Sequence, residues 1–228
     1  MAPSRDVHDR VVVAVDGPAG AGKSSVSRAV AIQLGLRYLD TGSMYRAATW
    51  WLLREGVDVS DHDAVARAPL PDLRVGTDPT APTVAVGGHD VTRAVREADV
   101  TAAVSAVSAV PAVRAWLAAR QRALIDGGDI VVEGRDIGTV VAPDADVKIF
   151  LTASDAARAA RRAAETADAD PGSTLSDIIR RDRADSTRVA SPLSVAADAH
   201  VVDATELTLP EVVDTVAALV RSRVGAQA

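Results

Sequence analysis

Short apolar runs alternate along this 228-residue chain with stretches of helical periodicity. The run 11–15 consists of valine and one alanine, and it ends at Asp16. A strand with no polar face is typical of the middle of a parallel sheet that is covered on both sides. After this strand, the spacing of apolar residues predicts a helix over 23–34, which Gly35 ends.

The order of strand, turn and helix continues to the end of the chain. We predict strands over 37–40, 130–132, 147–151 and 200–202, and helices over 43–55, 100–109, 111–125, 174–187 and from Pro210 onward. A further helix, capped by Ser154, is expected to reach about Ala167, with a loop over 168–173. This order indicates the α/β class, with five parallel strands and helices on both faces of the sheet.

The composition of the sequence changes between Pro69 and Val91, where prolines and glycines cluster around short segments of high β-propensity. The alternation over 83–86 predicts a small antiparallel unit of two or three strands rather than the alternative, a disordered linker. We therefore expect one domain over 1–228 that carries a β insertion at 69–92.

Composition narrows the classes of function. The chain is 48% hydrophobic and 25% charged, which is typical of a globular protein. A net charge of −6 argues against binding to nucleic acid or anionic membranes, and 3% aromatic residues against a base-stacking platform. The absence of cysteine excludes disulfides, thiol catalysis and cysteine-based zinc sites. Because 11–15 is too short for a signal or membrane span, we expect a cytoplasmic protein.

The strongest chemical signal is the segment 17–24, Gly-Pro-Ala-Gly-Ala-Gly-Lys-Ser, which matches G-x-x-x-x-G-K-[ST] between a strand and a helix. Backbone N–H groups of such a loop cradle phosphate oxygens at a helix N-terminus. Lys23 is expected to bridge the β- and γ-phosphates, and Ser24 to offer its hydroxyl to Mg²⁺. An accidental match is disfavoured, since lysine occurs only at Lys23 and Lys148.

Among proteins with this loop, a regulatory GTPase needs an N-K-x-D segment, which the sequence does not contain. A large ATPase motor needs a longer chain. A small-molecule kinase fits the length, with loops that close over two substrates.

Two more segments follow predicted strands, at the sheet edge where α/β proteins bind ligands. In 40–46, Arg46 is placed to grip a phosphate and Thr41 to hydrogen-bond it, although a capped helix with a surface arginine is an equal alternative. In 133–136, Glu133 is placed to hold Mg²⁺ through water, the alternative being a turn with a structural ion pair.

Arginines cluster after the fourth predicted strand, at Arg158, Arg161, Arg162, Arg180, Arg181, Arg183 and Arg188. In an acidic chain this clustering suits a helical lid over 155–172 that closes on a triphosphate, where arginines neutralise the transferring phosphoryl group. For any single arginine, a solvated helix face is a strong alternative.

Together these segments resemble bacterial cytidylate kinases, of the nucleoside monophosphate kinase group. The resemblance covers nearly the whole chain and is carried by 16–24, 39–46, 133–141, 146–151 and 181–188. It implies a P-loop core with the β insertion in the acceptor-binding region, ATP and Mg²⁺ as cofactors, and transfer of a phosphoryl group to CMP or dCMP. We also expect a monomer that acts on small molecules, without nucleic acid or membrane partners.

The resemblance assigns roles to matching positions. The acceptor residues that it implies are Ser105, Arg114 and Asp136 for the cytosine, Thr41 and Arg46 for the phosphate, and Arg181, Asp185 and Arg188 for the ribose and phosphates. The donor residues are Gly17, Gly20, Gly22, Lys23, Ser24 and Ser25, with Ser24 and Glu133 as metal ligands. As catalytic cations we expect Lys23 and Arg188, together with Arg158 and Arg162 from the arginine cluster; the resemblance itself leaves open which arginine of the lid contacts phosphate.

The chemistry of the base agrees with these roles. Cytosine presents an N4 amino donor and acceptors at N3 and O2, so an acid such as Asp136 and a base-facing arginine such as Arg114 complement it, whereas uracil reverses the polarity. Two alternatives stay open: a kinase for another monophosphate or small metabolite, and a non-catalytic protein whose conformation a nucleotide switches.

Overall fold

The computed structural model describes residues 10–165, 171–188 and 190–225. In chain order its elements are β1 (Val12–Asp16), α1 (Lys23–Leu34), β2 (Arg37–Asp40), α2 (Thr41–Arg54), α3 (His62–Arg67), β3 (Leu73–Gly76), β4 (Thr83–Val86), β5 (His89–Asp90), a 3₁₀ turn (Ala94–Arg96), α4 (Ala98–Ala109), α5 (Pro111–Ile125), β6 (Ile130–Glu133), a π-helical turn (Ile137–Val141), β7 (Val147–Thr152), α6 (Asp155–Glu165), α7 (Pro171–Thr187), β8 (His200–Asp203) and α8 (Leu209–Gly225).

The central sheet has five parallel strands in the order β2-β6-β1-β7-β8, as the alternation of strands and helices predicts. Val13 lies beside Val131 of β6 on one side and Val147 of β7 on the other. Because β1 is the middle strand, the loop that follows it opens at the centre of the sheet's carboxyl edge.

Two apolar clusters cover the two faces of the sheet. Val13 and Val15 pack with α1 and α8 on one face, where Val30 and Val216 are fully buried. Ala14 points to the other face and packs with α2 and α5 through Met44 and Leu117, among others. Strand β1 is therefore buried on both faces, as its lack of a polar face predicts.

The predicted β insertion is a three-stranded antiparallel sheet in the order β3-β4-β5. Its inward residues, including Val84 and Val86, join the apolar cluster that contains α2. The loop between β3 and β4 also contacts the core: Tyr38 N donates to Thr77 O at 2.9 Å, and Arg28 donates to the carbonyls of Pro79 and Thr80 at 2.5 and 2.7 Å. The insertion is thus tied to α1 and β2 as well as packed on α2.

Several element bounds differ from the predictions. Helix α2 begins at Thr41, two residues early, because the Asp40 carboxylate caps it by accepting from Ser43 N. Helix α7 begins at Pro171, where the sequence suggested a loop. The predicted lid over 155–172 falls partly on 166–170, which lie outside the described residues. The short helix α3 and the π-helical turn were not predicted from the sequence.

Within the described ranges, no single helix combines the length and apolar composition of a membrane span. Helices α4 and α5 meet that test only as a pair, which is bent by 96°.

Candidate active site

A cavity of about 390 Å³ opens at the carboxyl edge of the sheet, between the start of α1 and the β insertion. All but two of the predicted site residues line it: Gly20, Gly22, Lys23, Ser24, Ser25, Thr41, Arg46, Ser105, Arg114, Glu133, Asp136, Arg162, Arg181, Asp185 and Arg188. Residues that are far apart in the sequence thus converge because strand ends of a parallel sheet share one edge.

The loop after β1 has the backbone that phosphate binding requires. Gly20 and Gly22 adopt positive φ angles of 74° and 91°, and α1 starts at the next residue, so free N–H groups and the positive end of the helix face the cavity. Lys23 donates from Nζ to Pro18 O at 2.7 Å across the loop. Burial, followed by the nearby charge of Arg135, lowers the Lys23 pKa, so an anionic ligand would stabilise its charged form.

Gly17 has a packing role instead of a place on the cavity wall. Its φ is +149°, and a Cβ there would lie 2.0 Å from the carbonyl oxygen of Leu151 on β7. This difference from the predicted donor contact follows from sheet order, because β7 is the neighbour of β1 and its backbone passes directly under the start of the loop. Only glycine fits between them.

Glu133, at the end of β6, is held by three neighbours. Its Oε2 accepts from Ser24 Oγ at 3.0 Å, and its Oε1 accepts from the Tyr38 hydroxyl. Thr41 Oγ1 donates to its backbone carbonyl at 2.7 Å. Burial raises the Glu133 pKa, and the nearby Asp40 raises it further. The Ser24 and Glu133 oxygens are hard donors of the kind that Mg²⁺ prefers, so this pair fits a magnesium site.

At the far end of the cavity, Arg114 and Asp136 form a buried ion pair. Arg114 Nη2 lies 2.5 Å from Asp136 Oδ2, and their side chains are 8% and 6% exposed. Arg114 also donates to Ser108 O at 3.2 Å and lies over the Tyr45 ring, 5.4 Å from its centroid. Arg188 Nη2 lies 3.5 Å from Asp136 Oδ1. A buried charged pair is costly to desolvate, so it is weak evidence for stability and better evidence for recognition.

Several arginines converge between these two ends. Burial lowers the pKa of Arg46, and Arg96, Arg162 and Arg135 lower it further against the opposing effect of Asp40. Burial also lowers the pKa of Arg181 to about 10, with added repulsion from Arg46 and Arg135. Like charges that repel one another in this way are neutralised by a polyanion.

Arg135 links the two ends of the site. Its Nε donates to Asp185 Oδ2 at 2.8 Å, and its Nη1 donates to Gly17 O at 2.6 Å. Asp185 also lies 3.4 Å from Arg188 Nη1. Arg135 lies in the segment 133–136 but was not predicted to be a site residue from the sequence. Its location at a strand end, between Glu133 and Asp136, is the feature of the sequence that could have identified it as a site residue.

Arg158 differs from the prediction, since it does not line the cavity. Its Nη1 donates to Ala19 O at 2.7 Å and pairs with Asp182, and its Nη2 donates to Asp155 Oδ1 at 2.6 Å. Arg161 donates to Ala204 O. Of the three arginines on α6, Arg162 alone lines the cavity. Helical periodicity could not distinguish these arginines, because two of the three partners of Arg158 belong to α7 and the phosphate loop.

The chain is similar in sequence to known proteins over nearly its whole length. A sequence model of the family described as cytidylate kinase matches residues 13–222. A cytidylate kinase of Streptomyces avermitilis is 54% identical over 216 residues, 93% of this chain and 94% of that protein. One of Rhodococcus opacus is 54% identical over 222 residues, 94% and 96% of the two chains.

A crystal structure of an uncharacterised protein from Eubacterium ventriosum is similar in fold alone. Its TM-score is 0.55 at 11% identity, and the match covers 94% of this chain and 99% of that one.

Proposed function

Because this chain belongs to the cytidylate kinase family, we propose that its cavity holds CMP or dCMP beside ATP and promotes transfer of the γ-phosphoryl group. The products are ADP and CDP or dCDP. The enzyme is a nucleoside monophosphate kinase, a phosphotransferase with ATP as the donor.

The observation that carries the choice of acceptor is the buried pair of Arg114 and Asp136 on the cavity wall. The Asp136 carboxylate is a pure acceptor and suits the cytosine N4 amino group, while the Arg114 guanidinium is a pure donor and suits N3 and O2. Ser105 lines the cavity on α4 and can add a hydroxyl. Uracil would present O4 to the carboxylate and N3–H to the guanidinium, both of the wrong polarity, which a buried polar site rejects strongly.

The sugar and phosphate of the acceptor fit the neighbouring groups. Asp185 and Arg181 are assigned to the ribose, where Asp185 is already oriented by Arg135 and Arg188. Thr41 and Arg46 at the start of α2 are assigned to the acceptor phosphate. Arg46 Nε and Arg181 Nε are buried and have no hydrogen-bond partner among the described residues, which leaves donors for these oxygens.

Catalysis requires positioning and charge neutralisation rather than a general base, because the acceptor phosphate is already an anion. The loop N–H groups and Lys23 hold the donor phosphates, with Ser25 at the start of α1 beside them. Arg162 and Arg188 are assigned to the charge that spreads over the phosphoryl oxygens during transfer. Ser24 and Glu133 would hold Mg²⁺, which when bound neutralises further phosphate charge.

We also propose that the enzyme acts as a cytoplasmic monomer organised as a single domain, with the β insertion as the acceptor-binding part. Most of the residues assigned to the two substrates line one continuous cavity of this chain, which supports a site that is complete within a single subunit. A net charge of −6 further disfavours nucleic acid and anionic membranes as partners.

The test is acceptor-dependent release of ADP from ATP, measured with CMP, dCMP, UMP, AMP, GMP and dTMP in turn. We expect CMP and dCMP to give the highest kcat/KM. A higher value with another monophosphate would overturn the assignment of the acceptor. ATP binding without ADP release for any acceptor would instead indicate a nucleotide-switched binding protein.

A further inference from the structure

The Glu133 carboxylate is fixed on both of its oxygens. Ser24 Oγ donates to Oε2 at 3.0 Å, and the Tyr38 hydroxyl donates to Oε1. Glu133 and Tyr38 are each only 3% exposed, so water does not compete freely for these bonds. The three side chains come from α1, β2 and β6 and form one continuous chain of hydrogen bonds.

Tyr38 is itself held firmly in place. On β2 it pairs in register with Val131 of the neighbouring strand, and its ring belongs to the apolar cluster that covers this face of the sheet. Its backbone N–H donates to Thr77 O at 2.9 Å. A ring anchored by packing and by the backbone places its hydroxyl at a fixed point, so the rotation of the Glu133 carboxylate is fixed as well.

This arrangement is more specific than a structural bond requires. A buried carboxylate needs donors, but Oε2 faces the one hydroxyl, Ser24, that the phosphate loop offers to a cation. If Oε1 lost its donor, the carboxylate could turn to seek another, and Oε2 would leave Ser24. The orientation of the pair that would hold Mg²⁺ therefore depends on Tyr38, which lines the same cavity.

We infer that Tyr38 is a positioning residue, whose hydroxyl locks the Glu133 carboxylate against Ser24 and so presets the divalent-cation site of the kinase. The inference rests on the proposed roles of Ser24 and Glu133. Outer partners that orient ligands in this way commonly change metal affinity by about 10- to 100-fold when they are removed. Nothing in the sequence pattern marked Tyr38, because an aromatic residue in a strand is most often only a packing residue.

The experiment removes the hydroxyl and keeps the ring. Tyr38→Phe is compared with the wild type, with Glu133→Gln, and with Thr49→Val as a matched control. Thr49 is fully buried on α2 and donates to Tyr45 O at 2.9 Å, so its substitution also deletes one buried hydroxyl, but outside the cavity lining. Binding of Mn²⁺ to each protein saturated with ADP is measured by electron paramagnetic resonance, with melting temperatures recorded alongside.

We expect Tyr38→Phe to weaken Mn²⁺ binding by about 10-fold or more. Thr49→Val should leave it unchanged, and Glu133→Gln should weaken it at least as much as Tyr38→Phe. In steady-state kinetics, Tyr38→Phe should require more Mg²⁺ for half-maximal rate while the KM for CMP stays within about twofold. Extra Mg²⁺ should restore most of the lost kcat, which a purely structural defect would not allow.

The remaining outcomes overturn the inference in distinguishable ways. Unchanged Mn²⁺ binding in Tyr38→Phe together with weaker binding in Glu133→Gln would remove Tyr38 and keep the metal role of Glu133. Unchanged binding in both variants would remove the proposed metal role itself. Equal weakening in Tyr38→Phe and Thr49→Val, with equal losses of melting temperature, would show a general effect of stability.

Discussion

Asp16 shows how a single buried charge joins the phosphate loop to the acceptor site. At the end of β1, its carboxylate accepts from the backbone N–H groups of Ile137 and Gly138 at 2.9 and 2.8 Å, so it fixes the turn that follows Asp136. The side chain is buried, and burial raises its pKa from 3.8 to about 6, although both backbone bonds oppose the shift. The charged form that holds the turn is therefore maintained at a cost in stability.

This cost predicts a pH dependence of folding. Because the pKa of Asp16 is higher in the folded than in the unfolded protein, its favourable contribution is complete below pH 3.8 and is lost as pH rises through about 6. The shift corresponds to about 3 kcal/mol. Asp16→Asn has no carboxyl group to titrate at this position. The difference in unfolding free energy, wild type minus variant, should therefore fall by about 3 kcal/mol as the pH rises from 4 to 7.5. Urea denaturation across this range measures it, and a constant or rising difference would contradict the account.

Helices α6 and α7 both hydrogen-bond the backbone of Ala19 in the phosphate loop. Ala19 N donates to Asp182 Oδ1 at 2.8 Å, while Ala19 O accepts from Arg158 at 2.7 Å. Arg158 and Asp182 also bind each other. The fit is close, since a Cβ on Gly20, whose φ is +74°, would lie 2.9 Å from Arg158 O. The same two helices carry Arg162 and Arg181 into the cavity, so these contacts fix the two arginines relative to the phosphate loop.

Arg158→Gln and Asp182→Asn should each lower kcat/KM for ATP by about 10-fold, because the first removes the charged donor to Ala19 O and the second replaces a carboxylate oxygen that accepts from Arg158 by an amide donor. The double variant should lose little more activity than either single variant. The coupling energy between the two substitutions should be about 1 kcal/mol or more, as expected for residues in one hydrogen-bond network. Steady-state kinetics at saturating CMP measures this cycle. Arg161→Gln is the matched control, since Arg161 contacts Ala204 O and should have no effect on the KM for ATP. Strictly additive losses would show that Arg158 and Asp182 act separately.

Local signals in the sequence predicted most of the fold. The buried strands, the phosphate loop and the stop of α1 at Gly35 depend on neighbours in the chain, so patterns of a few residues determine them. The contacts of Tyr38, Arg135 and Arg158 were not predictable in this way. They depend on the strand order β2-β6-β1-β7-β8 and on the docking of α7, which bring together residues that are about 90 to 160 positions apart.

The molecule as a whole is an acidic protein that places several of its arginines around one cavity. The net charge is −6, yet Arg46, Arg114, Arg162, Arg181 and Arg188 all line the space between the sheet edge and the β insertion. A site that brings two phosphate-bearing substrates together needs this local excess of positive charge. We propose that the pair of Arg114 and Asp136 at its far end makes the site selective for cytosine.

The most direct test of whether Asp136 recognises cytosine is a ratio of two rate constants. It is the kcat/KM for CMP divided by the kcat/KM for UMP, measured in the wild type and in Asp136→Asn. The substitution removes the charged acceptor for the cytosine amino group and adds a donor for uracil O4. Loss of one such bond in a desolvated site costs about 1.5–3 kcal/mol, so use of CMP should fall roughly 10- to 150-fold and the ratio should narrow. Asp185→Asn, at the ribose, should lower use of both nucleotides and leave the ratio unchanged, with melting temperatures as controls. If the ratio in Asp136→Asn stays within about twofold of the wild type while stability falls, Asp136 is a structural acid and does not read the base.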